Sequence, residues 1–305
     1  VLGDSSRGGR LDYVGGEPPA LTSEGADVLS ILNLEQIGDN HFLGRYNRRN
    51  VNAALYGGQV VAQALMAAAQ TADGRPAHSL HAYFIRPGSA DTSVTFLVDR
   101  IRDGRNFTTR RVSALQNGRH LLELICSFAQ PQHGFSHQTA MPDLPPPEGL
   151  DDLAEIARKG GDDLPDYLHT FDGRVWIELR PFTRSELIAP TGVARRDFWL
   201  RVPSAAGMDP ARYGDAVVAY LSDFWLASAA LMPHSHPCPS KDLFVASLDH
   251  SVWFHRPLED ASDWLLYHID SPNAGNGVNL SRGLLFDRKG RLIASTAQEA
   301  LQLPS

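Results

Sequence analysis

The chain has 305 residues, 43% of them hydrophobic, and a formal net charge of −7. It is long enough for two domains of about 150 residues with sizeable cores, and its acidic balance argues against a nucleic-acid partner, whose footprint is basic. No apolar run reaches the roughly 18 residues of a membrane span, the start lacks a signal-peptide core, and Cys126 and Cys238 cannot build a disulfide framework; a soluble cytoplasmic protein is expected.

Residues 1–27 carry Gly, Ser, Pro and charge without periodicity and read as a loose arm. Residues 27–37 read as a short helix or the approach to a strand, and 42–47 as a first strand. The run over 56–70 is rich in the helix formers Ala, Leu, Met and Gln. It is apolar on nearly every face, which marks a helix enclosed by other structure. Gly57 and Gly58 at its start permit close backbone approach and leave the first N–H groups unobstructed. Strand-like stretches follow at 79–86, 92–102, 105–116 and 119–130, punctuated by Pro87-Gly88, Asp103-Gly104 and the hairpin signal Asn117-Gly118. Strands this long, meeting one apolar helix, predict a sheet curled around it.

From 131 to 173 the composition shifts to a Pro-rich, acidic linker with one helix expected near 153–158. Beyond it come strand-like stretches at 175–180 and 195–202 and a second nearly all-apolar helix over 213–232. A His/Pro-rich loop over 233–240 leads to strands at 244–255, 264–270, 280–286 and 291–302. Tyr83-Phe84-Ile85-Arg86-Pro87 is echoed by Trp253-Phe254-His255-Arg256-Pro257, 170 positions later. Asn117-Gly118-Arg119 is echoed by Lys289-Gly290-Arg291, 172 positions later. Offsets this similar indicate a domain written twice. The expected organisation is an arm over 1–27, an N-terminal domain over 28–130, a linker over 131–173 and a C-terminal domain over 174–305.

The two copies differ where chemistry could sit. Asp223 lies in the second apolar helix, two turns from its start, where a carboxylate must be paired, protonated or facing a cavity. Aligning Val60-Val61 with Val217-Val218 puts Met66 at the matching position. Ser247 and Gln298 answer Ala77 and Cys126. A Ser or Gln on a strand is ordinarily a satisfied edge residue, and an Asp at a helix surface ordinarily caps or pairs. Three polar replacements confined to one copy are what a duplicated domain with one retained active site would show. A Gly-x-Ser-x-Gly elbow is absent, since Gly134-Phe-Ser-His-Gln138 lacks the second glycine. His234-Ser-His236-Pro-Cys238 has prolines around it and reads as a loop rather than a metal site. His250 and His255 read as sheet residues packed beside Trp253.

Gly57-Gly58-Gln59-Val60-Val61, Tyr83-Phe84-Ile85-Arg86-Pro87, Arg102-Asp103-Gly104, Gln116-Asn117-Gly118, Asp249-His250-Ser251-Val252-Trp253-Phe254-His255-Arg256-Pro257 and Ala294-Ser295-Thr296-Ala297-Gln298-Glu299 together resemble the bacterial acyl-CoA thioesterase II family. The resemblance implies an α+β fold of two tandem hotdog domains, each a long curved antiparallel sheet wrapped around a central apolar helix. It implies hydrolysis of fatty acyl-CoA to fatty acid and CoA without metal or other cofactor, and a homo-oligomer of such chains. The family's catalytic Asp, Thr or Ser, and Gln map onto Asp223, Ser247 and Gln298. A water held by Ser247 and Gln298 would lose its proton to Asp223, and the N–H groups of Gly57, Gly58 and Gln59 would face the oxyanion. The rival reading is a non-catalytic acyl-CoA-binding protein of the same fold.

Overall fold

The computed structural model describes residues 27–50, 54–160, 177–234 and 243–304. Residues 1–26 of the expected arm, residues 161–173 of the expected linker, the first residues 174–176 of the expected C-terminal domain, and the loop residues His236 and Cys238 lie outside the described residues. In the first half, α1 (Val28–Leu32) precedes β1 (Glu35–Gly38) and β2 (His41–Gly44). The helix α2 (Gly57–Ala69) follows, then β3 (Ala77–Phe84), β4 (Val94–Asp103), β5 (Phe107–Gln116) and β6 (Arg119–Ala129). The linker contributes α3 (Leu153–Lys159). The second half runs β7 (Glu178–Pro181), α4 (Ser185–Ile188), β8 (Arg195–Arg201) and α5 (Pro210–Ser222). It ends with β9 (Leu243–Ser247), β10 (Asp249–Phe254), β11 (Leu265–Gly275), β12 (Val278–Asp287) and β13 (Leu292–Pro304). Among the described residues no helix is long and apolar enough to cross a membrane.

The strands join one antiparallel sheet in the order β1-β2-β4-β5-β6-β3-β10-β13-β12-β11-β8-β7, with β9 also pairing β13. That order is palindromic once β3 is matched to β10, β6 to β13, β5 to β12, β4 to β11 and β2 to β8. The halves meet at β3 and β10, where His81 faces Ser251 directly. These two residues are equivalent under the 170-position offset, so a pseudo-twofold axis passes between them. Joining the two β3-type edges covers what would otherwise be an unpaired row of backbone donors and acceptors. At Asn117 and Gly118, φ is 49° and 69°, as a two-residue hairpin turn of the mirror-image kind requires.

The inner face of each half-sheet packs on its helix. In α2 every residue from Gly58 to Ala68 is buried, which is why its sequence shows no polar stripe. Its two glutamines are satisfied locally: Gln59 Nε2 donates to Tyr46 O at 3.0 Å and its Oε1 accepts from Arg48 N at 2.7 Å, while Gln63 Nε2 donates to Ile31 O at 3.0 Å. The N-terminus of α2 lies against the C-terminal turn of α5, where Tyr56 Oη donates to Tyr220 O at 2.8 Å.

Two sequence expectations change. The helix expected over 213–232 begins earlier, after Asp209, whose carboxylate caps Ala211 N at 3.0 Å, and it ends at Ser222. Trp225 then takes a left-handed φ of 60°, and a 3-10 segment, Leu226–Leu231, continues the chain. Both pieces are mostly buried, so apolar composition runs unbroken across the bend. Trp225 is held in this uncommon conformation by the stacked Phe224 ring at 5.6 Å and the Arg196 guanidinium at 4.2 Å from its ring centroid. The strand expected over 244–255 is two strands, separated at Leu248 by a bulge. Ser247 pairs with Ala300, but Ser251 pairs with Ala297, one residue out of step. The same shift occurs between Ala77 and Ser79 on β3, so the bulge belongs to the fold common to both halves.

Candidate active site

Asp223 is the C-cap of α5, with φ −82° and ψ −15°. It does not sit within the helix as the sequence suggested; it stands where α5 stops and the chain bends toward Trp225. The Gly58 N–H at the start of α2 and the side chain of Gln298 stand near its carboxylate and favour its ionised form. Burial pushes its pKa above the ordinary carboxylate value, and nearby His250, the Gly58 N–H and Gln298 oppose that rise.

Ser247 and Gln298 arrive from neighbouring strands, and the bulge at Leu248 lets them meet. Gln298 is 1% exposed, and its Nε2 donates to Ser247 Oγ at 2.8 Å. The structure therefore brings together the three polar residues that distinguish the second copy. It adds a fourth, His250. This residue is fully buried, 0% exposed, on the face of β10 opposite exposed Trp253. Its Nδ1 lies 2.7 Å from Gln298 Oε1 and its Nε2 2.8 Å from Ser222 Oγ. The reading of His250 as packed beside Trp253 is thus corrected: strand alternation points the two side chains to opposite faces. The comparison between copies carries the missed signal, because the residue 170 positions earlier is Leu80.

Asp223, Ser247 and Gln298 stand at one wall of a cavity of about 580 Å³, with His250 and Ser222 behind them. Asp223, Ser247, Gln298 and Gly57 line its polar side, and Leu55, Val60, Phe84, Leu121, Leu226 and Phe244 are among its apolar lining. Gly57 leaves space for the carboxylate, since a Cβ there would lie 2.9 Å from Asp223 Oδ2. Gly58 stands near Asp223 without lining the cavity, and Gln59 turns its carboxamide into the core, so of the three residues expected at the oxyanion only Gly57 lines the cavity. Arg86 also lines it, with Nη1 donating to His120 O at 3.2 Å. Arg110 does not; it is 0% exposed and pins the end of α2 through Thr71.

The equivalent place in the other copy lacks these polar groups. Leu258 stands where Gly88 stands at the cavity, Ala77 and Cys126 replace Ser247 and Gln298, and burial raises the Cys126 thiol to about 12. Asp215, near the start of α5, accepts from Ala77 N at 3.0 Å. Burial raises the Asp215 carboxyl to about 6, and the Ala77 N–H partly offsets this. A folded-state pKa above the unfolded value contributes stability that is complete below about 3.8 and is lost as pH rises through about 6. Asp215→Asn keeps an acceptor for Ala77 N without a charge. It should therefore stabilise the protein at pH 8 by roughly 2 kcal/mol, allowing for the solvent that still reaches this side chain. At pH 4 the gain should vanish. Urea midpoints at the two pH values check this, and an equal effect at both would contradict it.

Comparison with known proteins extends the pattern to most of the chain. A family model described as the acyl-CoA thioesterase N-terminal domain matches residues 47–129, and one described as the acyl-CoA thioesterase C-terminal domain matches residues 144–302. Acyl-CoA thioesterase 2 of Haemophilus influenzae is 36% identical over 283 residues, covering 90% of this chain and 96% of that one. The crystal structure of an acyl-CoA thioesterase II from Mycobacterium marinum is 36% identical and superposes with a TM-score of 0.72, over 91% of this chain and 97% of that chain. A hot dog fold protein from Alicyclobacillus acidocaldarius, 19% identical, reaches a TM-score of 0.70 over 90% of this chain and 97% of that one. The sheet-wrapped helix of each half is this hotdog fold, present twice.

Proposed function

The chain belongs to the acyl-CoA thioesterase II family and is a hydrolase of acyl-CoA thioesters, and from that premise we propose that Asp223 is its general base and that Ser247 and Gln298 hold the attacking water. The observation that carries this reading is the meeting of Asp223, Gln298 and Ser247 at one wall of an apolar cavity. Ser247 Oγ accepts from Gln298, which leaves its own proton for the oxygen of a water. That water in turn donates to Asp223, and its remaining lone pair is aimed at the thioester carbonyl. A carboxylate whose pKa is raised by burial is a stronger base than one in water, which favours proton transfer near neutrality.

Attack forms the C–O bond and places negative charge on the carbonyl oxygen. Gly57, at the positive end of α2, offers its N–H to that oxygen. Collapse breaks the C–S bond, and the proton held by Asp223 passes to the departing thiolate. A thiol with a pKa of about 8.5 leaves readily, so no strong general acid is needed. The apolar lining takes the acyl chain, and Arg86 supplies positive charge for the phosphates of CoA. Residues 28–130 and 174–305 act as the two hotdog domains, joined by 131–173. A cytoplasmic location accords with the low cysteine content, and association into a homo-oligomer with the exposed Tyr83, Ile125 and Trp253 on the outer sheet face.

Thiol release from a series of acyl-CoAs tests the assignment. Ser247→Ala and Gln298→Ala should each lower kcat by about 10²-fold, with smaller changes in KM, as expected when a preorganised donor is lost. Acyl-CoA binding without thiol release by the unmodified protein would instead identify a non-catalytic binder.

A further inference from the structure

We propose that His250 is a positioning residue, which holds the carboxamide of Gln298 with its oxygen turned into the sheet and its NH2 turned toward Ser247 and Asp223. This rests on the assignment of Gln298 to the water-holding group and deepens it. The two ends of a carboxamide are almost the same size, so packing alone does not decide which way it points; its hydrogen-bond partners do.

On the cavity side Nε2 donates to Ser247 Oγ at 2.8 Å, and the Asp223 carboxylate stands nearby. An ionised carboxylate only accepts, and an amide oxygen turned toward it would be repelled. The NH2 must therefore face the cavity, and Oε1 must face His250 Nδ1 at 2.7 Å. That contact is attractive only if Nδ1 carries the proton. Burial lowers the His250 pKa and favours the neutral ring, so Nε2 is left as an acceptor for the Ser222 hydroxyl at 2.8 Å. Ser222 has two acceptors in reach, His250 Nε2 and Ala219 O at 2.9 Å. In the assigned tautomer its proton goes to the ring. One polar line thus runs from the last turn of α5 through His250 and Gln298 to Ser247.

The other copy shows that the fold does not need this line. Leu80 and Cys126 occupy the positions equivalent to His250 and Gln298, and they are likewise neighbours on paired strands, 0% and 1% exposed. An apolar residue therefore packs at the His250 position of this sheet without a polar partner. A fully buried histidine in the copy that holds the cavity, aimed at the one carboxamide that touches Ser247, is accounted for by what it does to that carboxamide.

The test is a double-mutant cycle read by thiol release, with kcat and KM for the unmodified protein, His250→Leu, Gln298→Ala and the double variant. His250→Leu should lower kcat by on the order of 30-fold, as loss of an orienting outer partner does, with KM within about threefold. In the Gln298→Ala background the same change should have no further effect, because a residue acting through Gln298 has nothing left to orient. Losses that multiply, or a folded His250→Leu protein with unmodified kcat, would overturn the proposal. A normal rate in Gln298→Ala alone would remove the assignment beneath it, which the cycle reports separately. If the leucine variant fails to fold, two amides still decide. His250→Asn can present an N–H near the place of Nδ1 and should recover most of kcat. His250→Gln places its amide nearer Nε2 and should remain slow; the reverse order would also overturn the proposal.

Discussion

Asp223→Asn is expected to lower kcat for thiol release by about 10³-fold, within the range set by losing a general base, and to raise the thermal stability of the protein at neutral pH. The two effects have one origin. The carboxylate is held among buried groups at the end of α5, and burial raises its pKa despite the Gly58 N–H, Gln298 and His250. Its ionised form is therefore disfavoured in the folded state, and a neutral isostere relieves the burden. The sign follows from linkage: with the folded pKa above the unfolded one, the stability tied to Asp223 is complete below the unfolded value and is lost as pH rises through the folded one. The stabilisation by Asn should then be largest above neutrality and disappear in acid. The same shift should place the acid limb of kcat/KM above the ordinary carboxylate value of about 3.9, where protonation silences the base. Melting temperatures and thiol release across pH measure both. Substantial turnover by Asp223→Asn would exclude Asp223 as the base, and unchanged stability would show that the site holds its charge at no cost.

Much of this site is legible in the sequence because the duplication supplies an internal reference. Arg86 and Arg256 set the offset, and the direct pairing of His81 with Ser251 shows that the offset describes a real symmetry of the sheet. Against that reference Ser247 and Gln298 stand out, and Asp223 stands out against its apolar neighbours. His250 carries the same mark relative to Leu80, yet the aromatic residues around it suggest a packed sheet residue. Only alternation along β10, counted from Trp253, turns it to the inner face. What pattern could not show is set by partners remote in sequence. The end of α5 depends on Phe224 and Arg196 holding Trp225 in a left-handed turn, while composition runs on unchanged. The bulge at Leu248 is a property of two strands together, since one-residue slips become visible only once β13 is in place. Gln59 adjoins the glycines that approach the site, but on a helix each residue turns by about 100°, which carries its side chain to the Tyr46 and Arg48 backbone instead.

Those two adjacent glycines should fail in opposite ways. A Cβ on Gly58 would lie 2.6 Å from Tyr220 O and 2.6 Å from Tyr56 Oη. The first of these is backbone inside α5, so relief requires the two central helices to separate. Overpacking of this kind costs about 1–3 kcal/mol or more, against a gain of up to about 1 kcal/mol from replacing a helical glycine with alanine. Gly58→Ala should therefore destabilise the protein by roughly 2 kcal/mol, and activity should fall as well, because the Gly58 N–H that supports Asp223 moves with the helix. A Cβ on Gly57 would meet Asp223 Oδ2 at 2.9 Å and the Phe84 ring at 3.1 Å. Both are side chains and can shift, so the fold should stay within about 1 kcal/mol of the parent once the propensity gain is included. The carboxylate, however, must give way by a few tenths of an ångström or rotate. Misplacement of a reacting group by about 1 Å can cost 10²-fold, so a loss of roughly 10- to 100-fold in kcat is expected of Gly57→Ala in a protein of near-parental stability. Urea midpoints and kcat, measured on both variants, separate the two cases. If Gly57→Ala were the unstable variant and Gly58→Ala the slow but stable one, Gly57 would be the contact between the helices and Gly58 the residue at the carboxylate.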